Sequence, residues 1–372
     1  MSETGSDKEK SRWGSLGSLV SSFGTSSSAD SAATSAGGAA TDGGSDGGVK
    51  GMKSLCDAPQ FHPESGKPIA GSTMASRKRP AGASGTAGTE GHVWGEGDAS
   101  LFNLRAGPDY AKTGAKAPSA DAFYDIVGID LFECENRMVN AGAQVHLPEE
   151  WTSVPTNHAA VPPVLIVCCQ LPDVSHALSG LTNFFVDKSE GPGSTVLMFY
   201  RIKAATAAAL QSLDAGEGEA CPPALQLLVD FCLTAKGGQY KYNDPANPMA
   251  GRFKVCPKVD NIAELGLPGF ITMYNSKPAL VAACLEWHYC AKGDYLCLDT
   301  NIHAFGGVAR SALQLMSFES MVLQWGFALE SRGDAQMPER LFGTCYMTRP
   351  NMHCLPGWDE ALRKGKGIIA QM

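Results

Sequence analysis

The sequence lacks the short motifs by which many enzymes and metal proteins are recognised. It has no phosphate-binding P-loop, no H-E-x-x-H, and neither a G-x-S-x-G elbow nor a G-x-G-x-x-G between a strand pattern and a helix pattern. Its 12 cysteines form no C-x-x-C pair, and no His/Cys set has the spacing of zinc ligands. We therefore expect a protein that is not an enzyme, with no catalytic residue, no metal site and no cofactor to assign.

Positive charge and targeting segments are also scarce. The net charge is −8, which disfavours a general nucleic-acid binder because phosphate contacts need clustered lysine and arginine. The N-terminus has no continuous apolar run of the kind found in signal peptides. Several cysteines lie inside apolar strand patterns, where a reduced thiol behaves as a small hydrophobic side chain. We expect a reducing, cytoplasmic compartment, with peripheral attachment to an endomembrane as an open alternative.

Residues 1–93 contain few large apolar side chains and are dominated by Ser, Gly, Ala and Thr. Such a segment cannot bury enough apolar surface to offset the entropy lost on ordering. We therefore predict a disordered arm that can be removed without loss of folding. The remaining chain fits one domain over residues 94–350, followed by a C-terminal tail over residues 351–372.

One stretch of the arm, residues 11–24, has an amphipathic pattern. Its large apolar side chains fall on one side of a helical wheel, and the other side is Ser and Gly. This pattern is typical of helices that sense lipid packing. The alternatives are a Ser-rich linker with chance spacing and a peptide that docks in a protein groove. The candidate membrane-contact residues are Trp13, Leu16, Leu19, Val20 and Phe23.

Residues 306–330 form the longest stretch with a helical pattern. Apolar residues recur at three- and four-residue spacing from Val308 to Val322, and no proline interrupts them. Arg310 and Glu319 argue against a membrane span. We predict a central helix that is buried on several sides within a soluble domain.

Strand patterns occupy most of the remaining domain. Apolar runs over residues 122–135 and 161–172 predict strands covered on both faces. Asp125 and Asp130 interrupt the first run, so each must end near solvent or have a partner. About eight strands, a short helix that ends at Gly237 and the long helix predict an α+β fold. In this fold a curved antiparallel sheet wraps around the long helix, a helix-grip-like arrangement.

Two late strand patterns, joined by an Ala-Lys-Gly turn, carry polar residues at every second position. The residues that share one face of each strand are Glu286, His288 and Cys290 in the first and Asp299, Asn301 and His303 in the second. If the strands pair, this face forms a polar-lined pocket or a hydrolytic site built on His and Asp or Glu. The alternative is a solvated sheet face.

Six further segments follow one another at sensible spacing. They are FNLRAGPDYAKTGAKAP, FYDIVGIDLFE, PPVLIVCCQLP, RFKVCPKVD, the helix start GGVARSALQ and MPERLFGTCYMTRP. Together they resemble the C-terminal domain of the plant "enhanced disease resistance" proteins, long described only as a domain of unknown function. The resemblance covers about residues 94–350.

In the best-known members this domain follows a phosphoinositide-binding module and a START lipid-transfer module. The resemblance therefore implies a membrane-trafficking or lipid-linked regulator without catalytic activity. Nothing upstream of residue 94 is long or apolar enough to be either module. Family members tend to have an Asp-Ile-Gly-Ser-Ser-like turn where residues 301–305 are Asn-Ile-His-Ala-Phe, so no role of that turn is carried over.

The sequence thus predicts a non-enzymatic lipid-binding or membrane-associated regulatory protein. An apolar cavity between sheet and helix would hold a lipid chain, and the arm would touch the membrane. The expected partners are a lipid or membrane surface and a protein, but no nucleic acid. The alternatives are a protein-interaction module with a filled core and a small-molecule hydrolase that uses His288 and Asp299.

Overall fold

The computed structural model describes residues 56–80, 93–156, 158–172, 191–215, 221–238, 240–241, 244–305, 318–350, 352 and 355–371. The predicted amphipathic helix over residues 11–24, with its five membrane-contact candidates, lies outside these ranges. The predicted central helix lies outside them up to residue 317.

The secondary structure of the described residues alternates between long strands and short helices. The strands are β1 (Trp94–Glu96), β2 (Asn103–Arg105), β3 (Lys116–Pro118), β4 (Tyr124–Cys134), β5 (Val164–Pro172), β6 (Gly193–Ile202), β7 (Phe253–Val259), β8 (Ala279–Leu280), β9 (Leu285–Tyr289), β10 (Tyr295–Asn301), β11 (Val322–Leu329) and β12 (Leu341–Thr348). The helices are α1 (Tyr110–Thr113), α2 (Ala141–Gln144), α3 (Glu149–Thr152), α4 (Ala204–Asp214), α5 (Pro223–Lys236), α6 (Gly269–Thr272) and α7 (Trp358–Ala370).

The strands form two five-stranded sheets and a β2–β3 ribbon. Sheet A has the order β1-β12-β11-β7-β8, and sheet B has the order β4-β6-β5-β10-β9. Neighbouring strands in both sheets are antiparallel except β5 and β10, which run parallel. The predicted α+β class with a largely antiparallel arrangement is confirmed.

The main core lies between the two sheets. Met198 of sheet B and Phe253 of sheet A have no exposed surface and belong to one apolar cluster. Tyr200 of sheet B packs edge-on against Phe327 of sheet A, with ring centroids 6.0 Å apart. Helix α5 adds Phe231 to the same cluster. Side chains from both sheets and α5 therefore fill the interior.

The predicted helix over residues 306–330 is wrong in its described part. Phe318–Ser320 forms a 3-10 turn, and Val322–Leu329 forms β11 inside sheet A. The curved sheet therefore does not wrap around a helix at residues 322–329, because Leu323, Trp325 and Phe327 are part of a sheet. Trp325 is buried at 7% exposure as a strand residue.

The error has a physical reason, because β11 is covered on both faces. Leu323, Trp325 and Phe327 pack in the main core. Ala328 packs in a separate cluster with Cys256 on the other face of sheet A. The second face has one polar residue, the half-buried Gln324, and is otherwise apolar or Gly. The two-residue period is therefore weak, and the sequence resembles that of a buried helix.

The outer face of sheet B is covered by segments from both ends of the described chain. Phe132 of β4 packs edge-on against Trp358 of α7, with ring centroids 4.9 Å apart. Residues 56–80, which we call the strap, add Ala70 to the same cluster. The strap, which the sequence analysis assigned to the disordered arm, is therefore packed on the domain. The domain supplies the core that the strap's own composition could not, and the C-terminal tail contains α7.

The carboxylate of Asp130 in β4 holds the strap. Its Oδ2 accepts the backbone N–H of Gly71 at 2.7 Å, and its Oδ1 accepts the N–H and the hydroxyl of Thr73, each at 2.8 Å. Trp94 Nε1 donates to the carbonyl of Met74 at 2.7 Å. Asp130 is only 1% exposed, so the strap gives this buried carboxylate the hydrogen bonds it needs.

The strap and α7 approach each other through two glycines. Gly66 has a φ of +61°, and a Cβ on it would lie 2.3 Å from the carbonyl oxygen of Gly365. A Cβ on Gly365 would lie 1.8 Å from the carbonyl oxygen of Gly66. The two backbones can come this close only because neither residue has a side chain.

Candidate functional site

The residues predicted to line a polar pocket lie at one edge of sheet B. β9 and β10 form the predicted hairpin, with Asp299 opposite Glu286. β10 also pairs with β5, which places Asn301 beside Gln170. The pairing brings Glu286, His288 and Asp299 together on the outer face of the sheet.

At the centre of the site, His288 contacts the carboxylate of Asp299. Its Nε2 lies 3.1 Å from Asp299 Oδ2 and 4.0 Å from Glu286 Oε2. The Asp299 side chain has no exposed surface, whereas the side chain of His288 is 23% exposed and that of Glu286 is 45% exposed. A fully buried acid is thus linked to the surface through a histidine.

Residues 137–144, which we call the covering loop, lie over this part of the sheet. The backbone N–H of Asn140 donates to Asp299 Oδ2 at 2.7 Å. Arg137 Nη1 lies 3.1 Å from Glu286 Oε1. The alternative of a solvated sheet face is therefore wrong for Asp299, because the covering loop takes the place of water around its carboxylate.

Asn301 and His303, the other two predicted residues, lie at the carboxyl end of β10. Asn301 Oδ1 accepts the backbone N–H of His303 at 3.1 Å and caps the 3-10 turn Ile302–Ala304. Both residues are buried. This hydrogen bond stabilises the turn that ends the strand.

The contact with Asp299 raises the pKa of His288, although burial acts in the opposite direction. The imidazole is then biased toward its charged form, and a charged imidazole cannot act as a general base. The geometry brings His288 and Asp299 together, as the hydrolase alternative requires. The direction of the pKa shift instead favours an ion pair that stabilises the site.

The cysteines of the site have the character of packing residues. Cys297 Sγ donates to Asp299 Oδ1 at 3.2 Å, and Cys168 is the neighbour of Asp299 on β5. Burial, and then the charge of Asp299, raise the pKa of both thiols. A buried thiol with a raised pKa has little thiolate at neutral pH, so it is a poor nucleophile.

A second buried ionic cluster, beside sheet A, joins three of the segments that carry the family resemblance. Lys254 Nζ lies 2.6 and 2.7 Å from the two carboxylate oxygens of Glu339. Arg105 Nη2 lies 3.0 Å from Glu330 Oε1, and Glu339 also accepts the N–H of Ser331 at 2.8 Å. Burial lowers the pKa of Lys254, while Glu339 acts in the opposite direction. These charges have partners within the protein, so the cluster is a structural one.

Two pockets among the described residues bear on the lipid hypothesis. A pocket beside Arg340 and Phe342 has a volume of about 10 Å³. A cleft of about 390 Å³ lies between residues 56–59 and the start of α7, opens to solvent and has Glu360 and Lys364 in its wall. Neither corresponds to the predicted apolar cavity between a sheet and a long helix.

Three residues of the site were missed by sequence reasoning: Arg137, Asn140 and Gln170. Gln170 is the one polar residue in the apolar run of β5, is 1% exposed, and donates from Nε2 to the carbonyl of Met138. A lone amide in a buried strand was a signal for such a partner. Arg137 and Asn140 lie in an irregular segment after β4, and no periodicity connects that segment to β9.

The described part of the chain contains neither a metal-binding cluster nor a membrane-spanning helix. Within those ranges, no group of three or more His, Cys, Asp or Glu side chains is placed to hold a metal ion. No helix described there is long and apolar enough to cross a membrane. The His288–Asp299 cluster therefore stands as the candidate site of those residues.

The family model described as "Protein ENHANCED DISEASE RESISTANCE 2, C-terminal" matches residues 94–350. This range is more than half of the chain and contains both sheets, whereas the strap and α7 lie outside it. No curated protein and no solved structure matches the chain. From the family match, the chain belongs to the ENHANCED DISEASE RESISTANCE 2 C-terminal domain family, as its sequence segments indicated.

Proposed function

We propose that the protein is a non-enzymatic regulatory protein that associates with membranes and makes its lipid contact through the arm. The observation that carries this proposal is the one-sided apolar face of residues 11–24, where Trp13 and Phe23 are opposed by Ser and Gly. The resemblance to the enhanced disease resistance proteins implies a role of the same class.

Two places for the lipid are open: the surface of the protein and the interior of the domain. The filled core favours the surface. Side chains from both sheets meet in one apolar cluster. The pocket of about 10 Å³ beside Arg340 and Phe342 is far below the roughly 300–1,000 Å³ of typical ligand sites. The cleft of about 390 Å³ is within that range, but it opens to solvent between residues 56–59 and α7 and is not an interior cavity. Attachment by a short amphipathic helix needs no internal cavity, so the arm is the part proposed to bind lipid.

The energetics of the arm predict weak binding that depends on lipid packing. Burying five large apolar side chains contributes roughly 10 kcal/mol, at about 2 kcal/mol each. Ordering a dozen backbone residues costs about 1 kcal/mol or more for each residue. Because the two contributions nearly cancel, highly curved vesicles with packing defects should bind the protein better than flat ones.

Vesicle flotation of the full chain across vesicle sizes tests the proposal. The variant Trp13→Ala/Phe23→Ala removes roughly 4 kcal/mol of apolar burial and should abolish flotation. The variant Ser15→Ala/Ser22→Ala changes the opposite side of the same stretch and should float like the wild type. Equal flotation of both variants, or no flotation of the wild type at any vesicle size, would contradict the proposal.

A protein-interaction module is the second candidate function, and exposed apolar side chains near an edge of sheet A favour it. Met273, Tyr274 and Leu280 are 54%, 38% and 48% exposed, and Leu280 belongs to the edge strand β8. Grouped apolar exposure of this kind marks contact surfaces. This candidate predicts unchanged flotation of Trp13→Ala/Phe23→Ala and loss of a crosslinked partner in Met273→Ser/Leu280→Ser.

A further inference from the structure

Two histidine rings stack where the strap turns back on itself. The backbone N–H of Ile69 donates to the carbonyl of Gln60 at 2.8 Å, so residues 60–69 form a hairpin-like turn that we call the strap turn. The ring of His62 in the strap turn lies on the ring of His146, which is between α2 and α3. The ring centroids are 3.7 Å apart and the ring planes differ by 18°. The stack is thus a contact between the strap and the domain.

Backbone hydrogen bonds hold the strap turn beside the same histidine. The N–H of His146 donates to the carbonyl of Pro68 at 2.8 Å, and its carbonyl accepts the N–H of Ala70 at 2.9 Å. Phe61 packs against the apolar cluster on the outer face of sheet B. These contacts carry no group that titrates near neutral pH, whereas an imidazole does. The histidine stack is therefore the pH-sensitive part of this contact.

Protonation weakens the stack through both rings. Nδ1 of His62 accepts the backbone N–H of Ser65 at 3.3 Å, and a charged imidazole has no acceptor nitrogen. Two charged rings at this separation repel each other. Burial, and after it the charges of His62 and Lys67, lower the pKa of His146. The closed strap turn therefore binds protons less readily than the open one.

The described residues give the stack no carboxylate partner. Within those ranges, neither ring forms an ion pair with an acidic side chain. On α7, Glu360 pairs with Lys364, and the half-buried Asp359 acts on the thiol of Cys134. The other charged residues of the segments that pack here are exposed, where salt screens them: Glu64, Glu149, Glu150, Arg363 and Lys366.

The next part of the strap responds to acid in the opposite direction. Asp130 accepts the backbone N–H groups of Gly71 and Thr73, and burial raises its pKa to about 6. A carboxyl with a raised pKa makes its full contribution to stability at low pH and loses it as pH rises through that value. A fall in pH from 7.5 to 5.5 therefore favours opening of the strap turn but not of the residues that follow it.

We propose that the His62–His146 stack makes the strap turn a proton-sensitive latch, which opens at mildly acidic pH while Asp130 keeps residues 71–74 on the domain. This inference goes beyond the proposed function and does not depend on it. Opening withdraws Phe61 from the outer face of sheet B and frees the backbone of His146 for another hydrogen-bond partner. Because the strap lies outside the residues matched by the family model, the latch is an addition to the family domain.

Amide hydrogen exchange of the full chain, followed by mass spectrometry at pH 7.5 and 5.5, tests the inference. Each rate is divided by the rate of an unfolded peptide of the same sequence at the same pH, so that only the change in opening remains. Excluding one proton from a histidine with an ordinary pKa of about 6.5 raises the opening equilibrium at most about tenfold over this range. We expect residues 60–69 of the wild type to lose protection about threefold to tenfold, and residues 71–74 to keep theirs.

Three variants assign the response to the stack. His146→Gln removes the titrating ring and should abolish the pH response, even if the strap turn opens more readily at both pH values. His62→Phe keeps a ring in the stack without a second charge and should reduce the response. His288→Gln makes the matched exchange at a histidine that contacts Asp299 instead of the strap, and it should keep the response. Thermal melts at both pH values show whether each variant is folded.

An NMR titration of the imidazoles gives an independent measurement. The pKa of His146 should lie below about 6.5 in the wild type and closer to that value in His62→Phe. A value of about 6.5 or above in the wild type would overturn the inference, and so would equal protection of residues 60–69 at the two pH values. An unchanged pH response in His146→Gln would place the proton elsewhere. Equal losses of protection over residues 60–69 and 71–74 would show that the strap leaves as a unit, without a latch.

Discussion

Two buried aspartates on the outer face of sheet B are stabilised in different ways. Asp130 in β4 accepts three hydrogen bonds from Gly71 and Thr73 of the strap, all from uncharged donors. Asp299 in β10 contacts the imidazole of His288 at 3.1 Å. Each aspartate anchors a segment over the sheet, which is the strap in one case and the covering loop in the other.

The difference between the two sites appears in their acid–base properties. Burial raises the pKa of Asp130 to about 6, although its three hydrogen bonds act in the opposite direction. At the other site, contact with Asp299 raises the pKa of His288. Uncharged donors thus hold a segment in place but only partly offset the cost of burying a carboxylate, whereas a cation can offset more of it.

Removing the strap should disturb the comparison most, because it takes away all three donors to Asp130 and the buried side chains of Met74 and Ala70. A chain that starts at residue 81 should melt about 15 °C below one that starts at residue 56, since each kcal/mol lost shifts the midpoint by about 2–4 °C. Circular dichroism melts provide the measurement. Equal midpoints would mean that the strap is dispensable for stability, as predicted for the whole of residues 1–93.

Asp130→Ala removes the carboxylate that holds the strap by a single substitution. The N–H groups of Gly71 and Thr73 lose their acceptor, and the expected loss is about 3 kcal/mol of unfolding free energy. Thr73→Val removes a hydroxyl that donates to Asp130 and accepts the N–H of Leu131 at 3.1 Å, and it should cost about 2 kcal/mol. Urea unfolding measures both, and a smaller loss for Asp130→Ala than for Thr73→Val would show that Asp130 does not hold the strap.

Asp299→Ala removes the carboxylate that holds the covering loop. The expected loss of unfolding free energy is smaller, about 2 kcal/mol. The N–H of Asn140 loses its acceptor, but His288 is partly exposed and can turn toward water. Glu286→Ala removes a neighbouring carboxylate that is 45% exposed and should cost under about 1 kcal/mol. If urea unfolding gives equal losses for the two variants, then Asp299 is not the anchor of the site.

Asp130 and His288 should lose their pH-dependent contributions to stability over different pH ranges. These effects should be the smallest of those predicted here. The folded pKa of Asp130 is about 6 and its unfolded value is about 3.9, so its stabilising contribution is present below about pH 4 and is lost as pH rises through 6. The pKa of His288 is raised above about 6.5, so its contribution is present below that pH and is lost at higher pH.

These signs give an expected outcome for two variants. The stability advantage of the wild type over His288→Gln should shrink as pH rises above about 6.5. Its advantage over Asp130→Ala should shrink as pH rises from about 4 to about 6. Urea unfolding over a pH series measures both differences. An advantage over His288→Gln that grows with pH would show that the histidine is not stabilised in its charged form.

Strand patterns predicted sheet B better than sheet A. The runs of β4 and β5 were identified as strands covered on both faces, and their alternate side chains do enter the main core and the outer cluster. β11 has the same property, but it was joined to the helical pattern of the residues before it. Periodicity alone does not separate a doubly covered strand from a buried helix, so the central position of β11 in sheet A followed only from tertiary structure.

The candidate site was predictable only as far as local periodicity reaches. The two-residue spacing of Glu286 and His288, and the turn before β10, placed them on one face with Asp299. The need of Asp130 for a partner was also visible in its apolar strand. The partners themselves come from the strap and the covering loop, which have no periodic pattern and are positioned by tertiary packing.

The contact between Gly66 and Gly365 determines whether a harmful substitution at one glycine can be rescued by a second substitution. A harmful enlargement at one position of a contact is often rescued by a smaller side chain at its partner. Here neither partner can become smaller, because both already lack a side chain. Rescue of Gly365→Ala would have to come from a shift of the backbone, for example through Phe61 or Ile369, which lie against the pair. These two glycines should therefore be intolerant individually and show no covariation, although they are in direct contact.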